Sequence, residues 1–274
     1  MDGALRAMVR LRKLIRPNPE NNEKYGQLYE RWLAMRSRIP GTLFAASRPV
    51  NTETTMNTVD ELRSRLAAVG RALYDAGLTH DASGNISARV PGSGSCLIKP
   101  SGYRFCDLEP EHFIVVDIWS RKVLEGDVKP SIETPFHTRL YQLWPRAGGV
   151  VHIHPKYSTI LSIVGREIVP MGLGLYSAPA LAKGVPLSRF APPGTDELAD
   201  NLVEAMREHV ACLMPHHGVT TIGTTIEEAA ENARVVESLA ELQYRVMQVG
   251  EPEPLPGPML DALLKMAMDR GLLV

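Results

Sequence analysis

The chain has 274 residues, 44% hydrophobic and 22% charged, with a formal net charge of -1. That length is enough for one large domain or two small ones with a full core, and a charge so close to zero supplies no field to gather nucleic acid or an anionic membrane surface. No apolar run reaches the roughly 18 residues of a membrane-spanning helix, and the opening MDGALRAMVRLRKLIR lacks the unbroken apolar stretch and small-residue cleavage site of a secretory signal.

Residues 1–57 differ from the rest. Through Val50 ten Lys/Arg stand against four acids. Tyr25, Leu28, Tyr29, Trp32 and Leu33 fall at helical spacing, and PGTLFAASRPVNTETTMNT reads as an irregular linker. The predicted organisation is therefore an N-terminal extension, helix plus linker, followed by a body over 58–274. That body opens with TVDELRSRLAAVGRALYDAGL, a helix with Thr58 as cap, Glu61 three residues on and Gly77 as stop. SCLIKPSG and FIVVDI are short apolar runs between turn residues and read as strands. PSIETPFHTRLYQLWP predicts a helix starting near Ile132 or Glu133 and ending before Pro145. GGVVHIH is a strand, YSTILSIVG a helix, and Val169–Pro193 a loop-rich stretch. TDELADNLVEAMREH is a capped helix, ACLMPHHGVTTIG two strand segments around a tight turn, and TIEEAAENARVVESLAELQYRVMQVG a long helix. No repeat or low-complexity tract occurs. Alternating helices and strands predict layers of helix, sheet and helix, a three-layer α/β/α body with a mixed central sheet.

Side chains alternate across a strand, so His152 and His154 share a face with Ile153 on the other. Two imidazoles at that spacing suit one metal ion, and a catalytic site needs a third ligand and an open position. His80, His112, His137 and His209 stand in segments that look exposed or helical and read as surface or packing residues. The HHG turn lies between apolar strands, where Gly218 lets the backbone come close to a ligand, so His216 or His217 completes the set. Cys96, Cys106 and Cys212 have neither metal nor redox spacing and read as reduced, mostly buried thiols of a cytoplasmic protein.

SGNIS (83–87), KPSG (99–102), PSIETPFH (130–137), VVHIHP (150–155) and PHHG (215–218) together resemble, in order and spacing, the class II aldolase/adducin family, and the fuculose phosphate aldolases within it. The resemblance covers roughly Thr58 to Val274. It implies His152, His154 and His217 as metal ligands, Glu133 as catalytic acid/base, and Gly84, Asn85, Ser101, Gly102 and Ser131 as the loops that hold a substrate phosphate. It also implies a divalent ion (zinc first, with manganese, cobalt or magnesium as alternatives) and a homotetramer with active sites between subunits. The chemistry is consistent with these roles. Cleaving a bond beta to a carbonyl leaves an enediolate, whose charge a divalent cation stabilises while a carboxylate moves the proton. Glycine and serine turns with a serine at a helix start offer N–H groups and hydroxyls to an anion.

The chain departs from the pattern at Ile132, where sugar-phosphate aldolases carry a second serine, and two assisting tyrosines of the fuculose phosphate aldolases are missing. Leu173, with Tyr176 beyond it, and Arg270 stand in those regions, and Arg270 is suited to pair with a substrate carboxylate. The expected activity is a metal-dependent carbon–carbon lyase acting on a small hydroxy-ketone or sugar phosphate. A decarboxylase of a keto or hydroxy acid on the same fold is the alternative, and a non-enzymatic adducin-like interaction protein the third reading. The expected partner is a small-molecule substrate, not nucleic acid or membrane.

Overall fold

The computed structural model of the chain describes residues 59–271. The predicted N-terminal helix, the linker and the Thr58 cap lie outside them.

The first helix, α1 (Val59–Asp75), buries Leu62, Leu66, Val69 and Leu73, an i, i+4, i+7, i+11 stripe that faces the sheet. It stops where Gly77 turns to φ +69 and the Leu78 N–H bonds back to the Leu73 carbonyl at 3.0 Å, as helix ends with a left-handed residue do. The strands are β1 (Asn85–Arg89), β2 (Ser95–Ile98), β3 (Ile114–Asp117), β4 (Val123–Glu125), β5 (Gly149–Ile153), β6 (Ala211–Met214) and β7 (Gly218–Gly223). The other helices are α2 (Thr134–Leu143), α3 (Lys156–Ile163), α4 (Asp196–Ala205), α5 (Ile226–Val246) and α6 (Gly257–Asp269). Strands β1 and β4 and helix α6 were not among the elements read from the sequence.

Among the described residues the strands form one sheet in the order β4-β3-β2-β1-β5-β7-β6. Every ladder between them is antiparallel. The three-layer class holds, but the expected mixed sheet does not: the parallel pairing is confined to an isolated bridge between Leu187 and Leu213. The physical reason is connectivity. β1–β2 and β3–β4 are each joined by five residues, and β6 returns as β7 through a three-residue turn, links that antiparallel neighbours accept and parallel ones cannot.

Helices cover both faces. On one side, Gly149 and Gly223 let α5 sit against the sheet; a Cβ there would meet Ile226 Cα and Ala229 N, each at 2.4 Å. Ala229, Ala230, Ala233 and Ala240 of α5 are the matching small side chains, and α1 joins this layer, with Gly70 packed on Ile86. On the other side α2 buries Phe136, His137, Leu140 and Tyr141, and α4 packs beside it. Thr195 caps α4 by accepting the Leu198 N–H at 3.1 Å; Thr225 caps α5 through Glu228 N–H at 3.2 Å. Each cap is worth about 1 kcal/mol.

Because neighbouring strands run in opposite directions, the start of β1, the end of β5 and the start of β7 meet at one edge of the sheet. His152 pairs with Asn85 on one side and Thr220 on the other.

Candidate metal centre and its acid

His152 lies on the α2 side of β5 and is fully buried. Its Nδ1 donates to the Val219 carbonyl at 3.0 Å, with Thr220 Oγ1 at 3.2 Å. The proton is thereby held on Nδ1 and the Nε2 lone pair turned inward, the outer-shell arrangement that orients a ligating imidazole. His154 follows directly after β5, and its Nε2 stands 2.8 Å from His152 Nε2. His217 closes the β6–β7 turn, its N–H bonded to the Met214 carbonyl at 3.1 Å.

The turn works differently from the sequence reading. The left-handed residue is His216, at φ 56, while Gly218 is needed for packing. A Cβ there would lie 2.4 Å from the Ile153 carbonyl and 2.7 Å from His154 Cδ2. Gly218 thus lets β7 approach β5 at the point where two of the imidazoles leave their strands. His216 points elsewhere, its ring 6.3 Å from that of Phe190, and His217 is the third member of the cluster.

The ring centroids of His152, His154 and His217 are each 4.7 Å from the other two, and one nitrogen from each ring lies within 4.8 Å of the others. Two nitrogens bound to a tetrahedral ion at ~2.0–2.1 Å stand about 3.3 Å apart, a value between the closest pair here and that ceiling. Burial lowers the pKa of all three rings, that of His217 to about 4, so they are neutral and able to ligate. The residues fit a borderline divalent cation such as zinc.

Glu133 faces the cluster from the N-terminal cap position of α2, not from within its first turn. Oε2 is 3.3 Å from His152 Nε2 and Oε1 3.4 Å from His217 Nε2. Oε1 is buried with no hydrogen-bond partner, an unmet demand that a bound cation or substrate proton would satisfy. Burial pushes the Glu133 carboxyl up to about 7, opposed by the Asn85 side-chain amide and by Lys99.

The remaining expected residues divide. Gly84, at φ +74, has its Cα against the β5 backbone, where a Cβ would meet the His152 carbonyl at 2.7 Å. Asn85 is buried and donates Nδ2 to Glu133 Oε2 at 2.7 Å. Ser131 N–H bonds to Lys99 O at 3.1 Å and Ser101 N–H to Lys129 O at 2.9 Å, so the KPSG and PSIE segments lie side by side. Ser101 and Gly102 are exposed, with open space around Gly102. Ser131 Oγ accepts the Glu133 N–H at 3.2 Å. Arg270 is exposed and donates to the Ser177 carbonyl at 3.3 Å, and Leu173 is exposed. Of the histidines read as surface or packing, His80 is exposed and His112 accepts the Glu109 N–H at 3.0 Å, but His137 is fully buried among polar groups.

Sequence reasoning missed Lys99. It is 2% exposed, its Nζ donates to the Ala82 carbonyl at 3.1 Å and lies 5.3 Å from the Phe105 ring centroid, and burial lowers its pKa to about 8. Its signal was a lysine closing an apolar strand. Thr220, whose hydroxyl stands 3.2 Å from His152 Nδ1, had none beyond alternation in GVTTIG.

A fold and site of this kind define a metal-dependent enzyme in which one carboxylic acid flanks three imidazoles. The chain belongs to the class II aldolase and adducin family, whose N-terminal domain model matches residues 64–244. It is 36% identical over 206 residues to a 5-methylthioribulose-1-phosphate/5-deoxyribulose-1-phosphate aldolase of Rhodospirillum rubrum, covering 74% of this chain and 90% of the relative. It is 31% identical over 194 residues to a 3-oxo-tetronate 4-phosphate decarboxylase of Escherichia coli K12, covering 67% and 86%. A solved L-fuculose 1-phosphate aldolase superposes with a TM-score of 0.71 at 26% identity, over 76% of this chain and 96% of that one. With these relatives, the chain is an enzyme of the class II aldolase type, a carbon–carbon lyase.

Proposed function

We propose that the chain is a zinc-dependent aldolase of ketose 1-phosphates, with His152, His154 and His217 as the metal ligands and Glu133 as the acid/base. The observation that carries this reading is the pair of 3.3 and 3.4 Å approaches of the Glu133 carboxylate to two imidazoles whose nitrogens converge. When bound there, a divalent cation supplies Lewis-acid stabilisation of negative charge on substrate oxygens.

The chain's own residues do the rest. In cleavage, ionised Glu133 takes the C4 hydroxyl proton, the C3–C4 bond breaks, its electron pair remains on C3, and an aldehyde departs; that same proton is then available for C3. Glu133, as the acid, returns a proton to C3 and releases dihydroxyacetone phosphate. A carboxyl raised toward neutrality by burial is suited to moving protons in both directions. The burial of Glu133 and the lining by Phe136 keep bulk water from competing for that proton. Gly84, Asn85, Ser101, Gly102 and Ser131 are proposed to hold the phosphate, supported by the adjacency of the KPSG and PSIE segments. Ile132 offers no hydroxyl, so phosphate affinity is expected to fall below that of a chain with serine there.

The decarboxylase relative favours a second reading, loss of CO₂ from a keto acid phosphate through the same charge stabilisation. A homotetramer is proposed, supported by the exposed Trp119, Leu173 and Phe190, and a cytoplasmic location by three unpaired thiols. Residues 1–57 are proposed as an extension and 58–274 as the catalytic domain.

The test combines elemental analysis with turnover of 5-deoxyribulose 1-phosphate, L-fuculose 1-phosphate and 3-oxo-tetronate 4-phosphate. One zinc per chain with aldehyde formation supports the aldolase, and CO₂ release without aldehyde the decarboxylase. A protein that binds no divalent ion would refute both.

A further inference from the structure

A chain of buried polar groups runs from Glu133 into the space between α2 and β1. Asn85 Nδ2 donates to Glu133 Oε2 at 2.7 Å, and Asn85 Oδ1 meets His137 Nε2 in a short hydrogen bond. His137 Nδ1 is 2.7 Å from Ser87 Oγ, which is 2.8 Å from the Tyr141 hydroxyl. Asn85, Ser87, His137 and Tyr141 are all at most 3% exposed, so water does not intervene. None of the acid/base chemistry above uses His137, Ser87 or Tyr141.

We propose that His137 is a positioning residue for Glu133, locking the Asn85 amide with its NH₂ turned toward the carboxylate. This rests on the reading of Glu133 as the acid/base. Complete burial pushes the His137 pKa down to about 3, so the ring is neutral and carries one N–H, which the hydrogen-bond pattern must assign. Two patterns are self-consistent. In the first, Tyr141 donates to Ser87, Ser87 donates to Nδ1, and Nε2–H donates to Asn85 Oδ1, so the amide presents Nδ2 to Glu133. In the second, every proton is reversed: Nδ1–H donates to Ser87, the bare Nε2 demands the Asn85 NH₂, and Oδ1 is turned onto Glu133. Two acceptor oxygens at 2.7 Å cannot be tolerated in a buried site unless Glu133 holds a proton between them. The ionised, base form of Glu133 therefore requires the first pattern, and His137 is the residue that enforces it. Without its N–H, Asn85 Oδ1 is orphaned and nothing stops the amide from turning over.

The test is hydrogen–deuterium exchange at the carbon-bound position of dihydroxyacetone phosphate in D₂O, catalysed by the zinc-loaded full chain. This reads proton transfer without needing the aldehyde. His137→Phe is expected to lower the exchange rate constant by about 10–100-fold, with KM and zinc content within about twofold. His137→Gln, whose amide supplies an N–H to Asn85, is expected to return to within about fivefold of wild type. If His137→Phe does not fold, Ser87→Ala decides; loss of the donor to Nδ1 frees the tautomer and should cost about 3–10-fold in rate at unchanged KM. A folded His137→Phe within twofold of wild type overturns the proposal, as do equal losses in both His137 variants accompanied by loss of zinc. Glu133→Gln is measured alongside. If it exchanges normally, the acid/base reading falls and takes this one with it; an inert Glu133→Gln beside an unaffected His137→Phe overturns this one alone.

Discussion

At Glu133 two forces oppose each other: burial disfavours the charge, while the Asn85 amide and Lys99 restore part of it. Glu133→Gln keeps the shape and should keep the metal, while lowering turnover by about 10²–10⁴-fold. His152→Ala should do the reverse in order, emptying the site first, with zinc per chain falling well below one by elemental analysis. Lys99 carries the pH dependence that stability measurements can read. Its folded pKa, about 8, lies below the ordinary lysine value of 10.5 because burial penalises the charge. The unfolded chain therefore binds more protons between those values, and unfolding free energy should rise with pH from about 8 to 10.5 relative to Lys99→Met, by about 3 kcal/mol. Denaturant titrations of the two proteins at pH 7.5 and 10.5 check it; a constant difference would refute it.

Single residues were legible where chemistry left a spacing. The HxH pair and the Gly-adjacent His217 announced themselves by ring type and position. His137 did not, because a histidine on the buried face of a helix has no mark in sequence that separates it from a surface one. Its role depends on Ser87 and Asn85, fifty and fifty-two residues away.

At the scale of elements, the decisive contact is backbone to backbone. Gly218→Ala would force β7 from β5 at the Ile153 carbonyl, and no flexible side chain is there to yield. We expect a loss of more than about 2 kcal/mol in unfolding free energy and weakened zinc binding, since His154 and His217 diverge as the strands part. Thermal melts with and without zinc measure both. The amphipathic helices α1, α4 and α5 were readable from their apolar stripes, and α4 and α5 also from their Thr195 and Thr225 caps. β1 was missed: NISAR does alternate Asn85, Ser87 and Arg89 with the buried Ile86 and Ala88, but two apolar residues in a five-residue segment are a short signal, and its polar face is buried as well. β4 is three exposed residues at the sheet edge, too short to register, and α6 buries only Leu263 and Ala267, leaving no stripe. The antiparallel order was hidden as well, because it is set by which strands pair, which local patterns do not specify.

For the molecule as a whole, every residue proposed for the site lies in Met56–Val274, which forms a compact unit. A chain lacking residues 1–55 should bind zinc at unchanged stoichiometry; loss of metal would make the extension part of the site. Within that unit, His152 stands on a strand flanked on both sides, and Asn85 and Gly218 begin its two neighbours. Amides of Val150, Val151 and Ile153 are in the middle of the sheet, where hydrogen exchange is expected to need an opening close to global. The scaffold therefore stays assembled when a chelator removes the ion, and a stripped sample should regain its metal within the mixing time, with no refolding step in between.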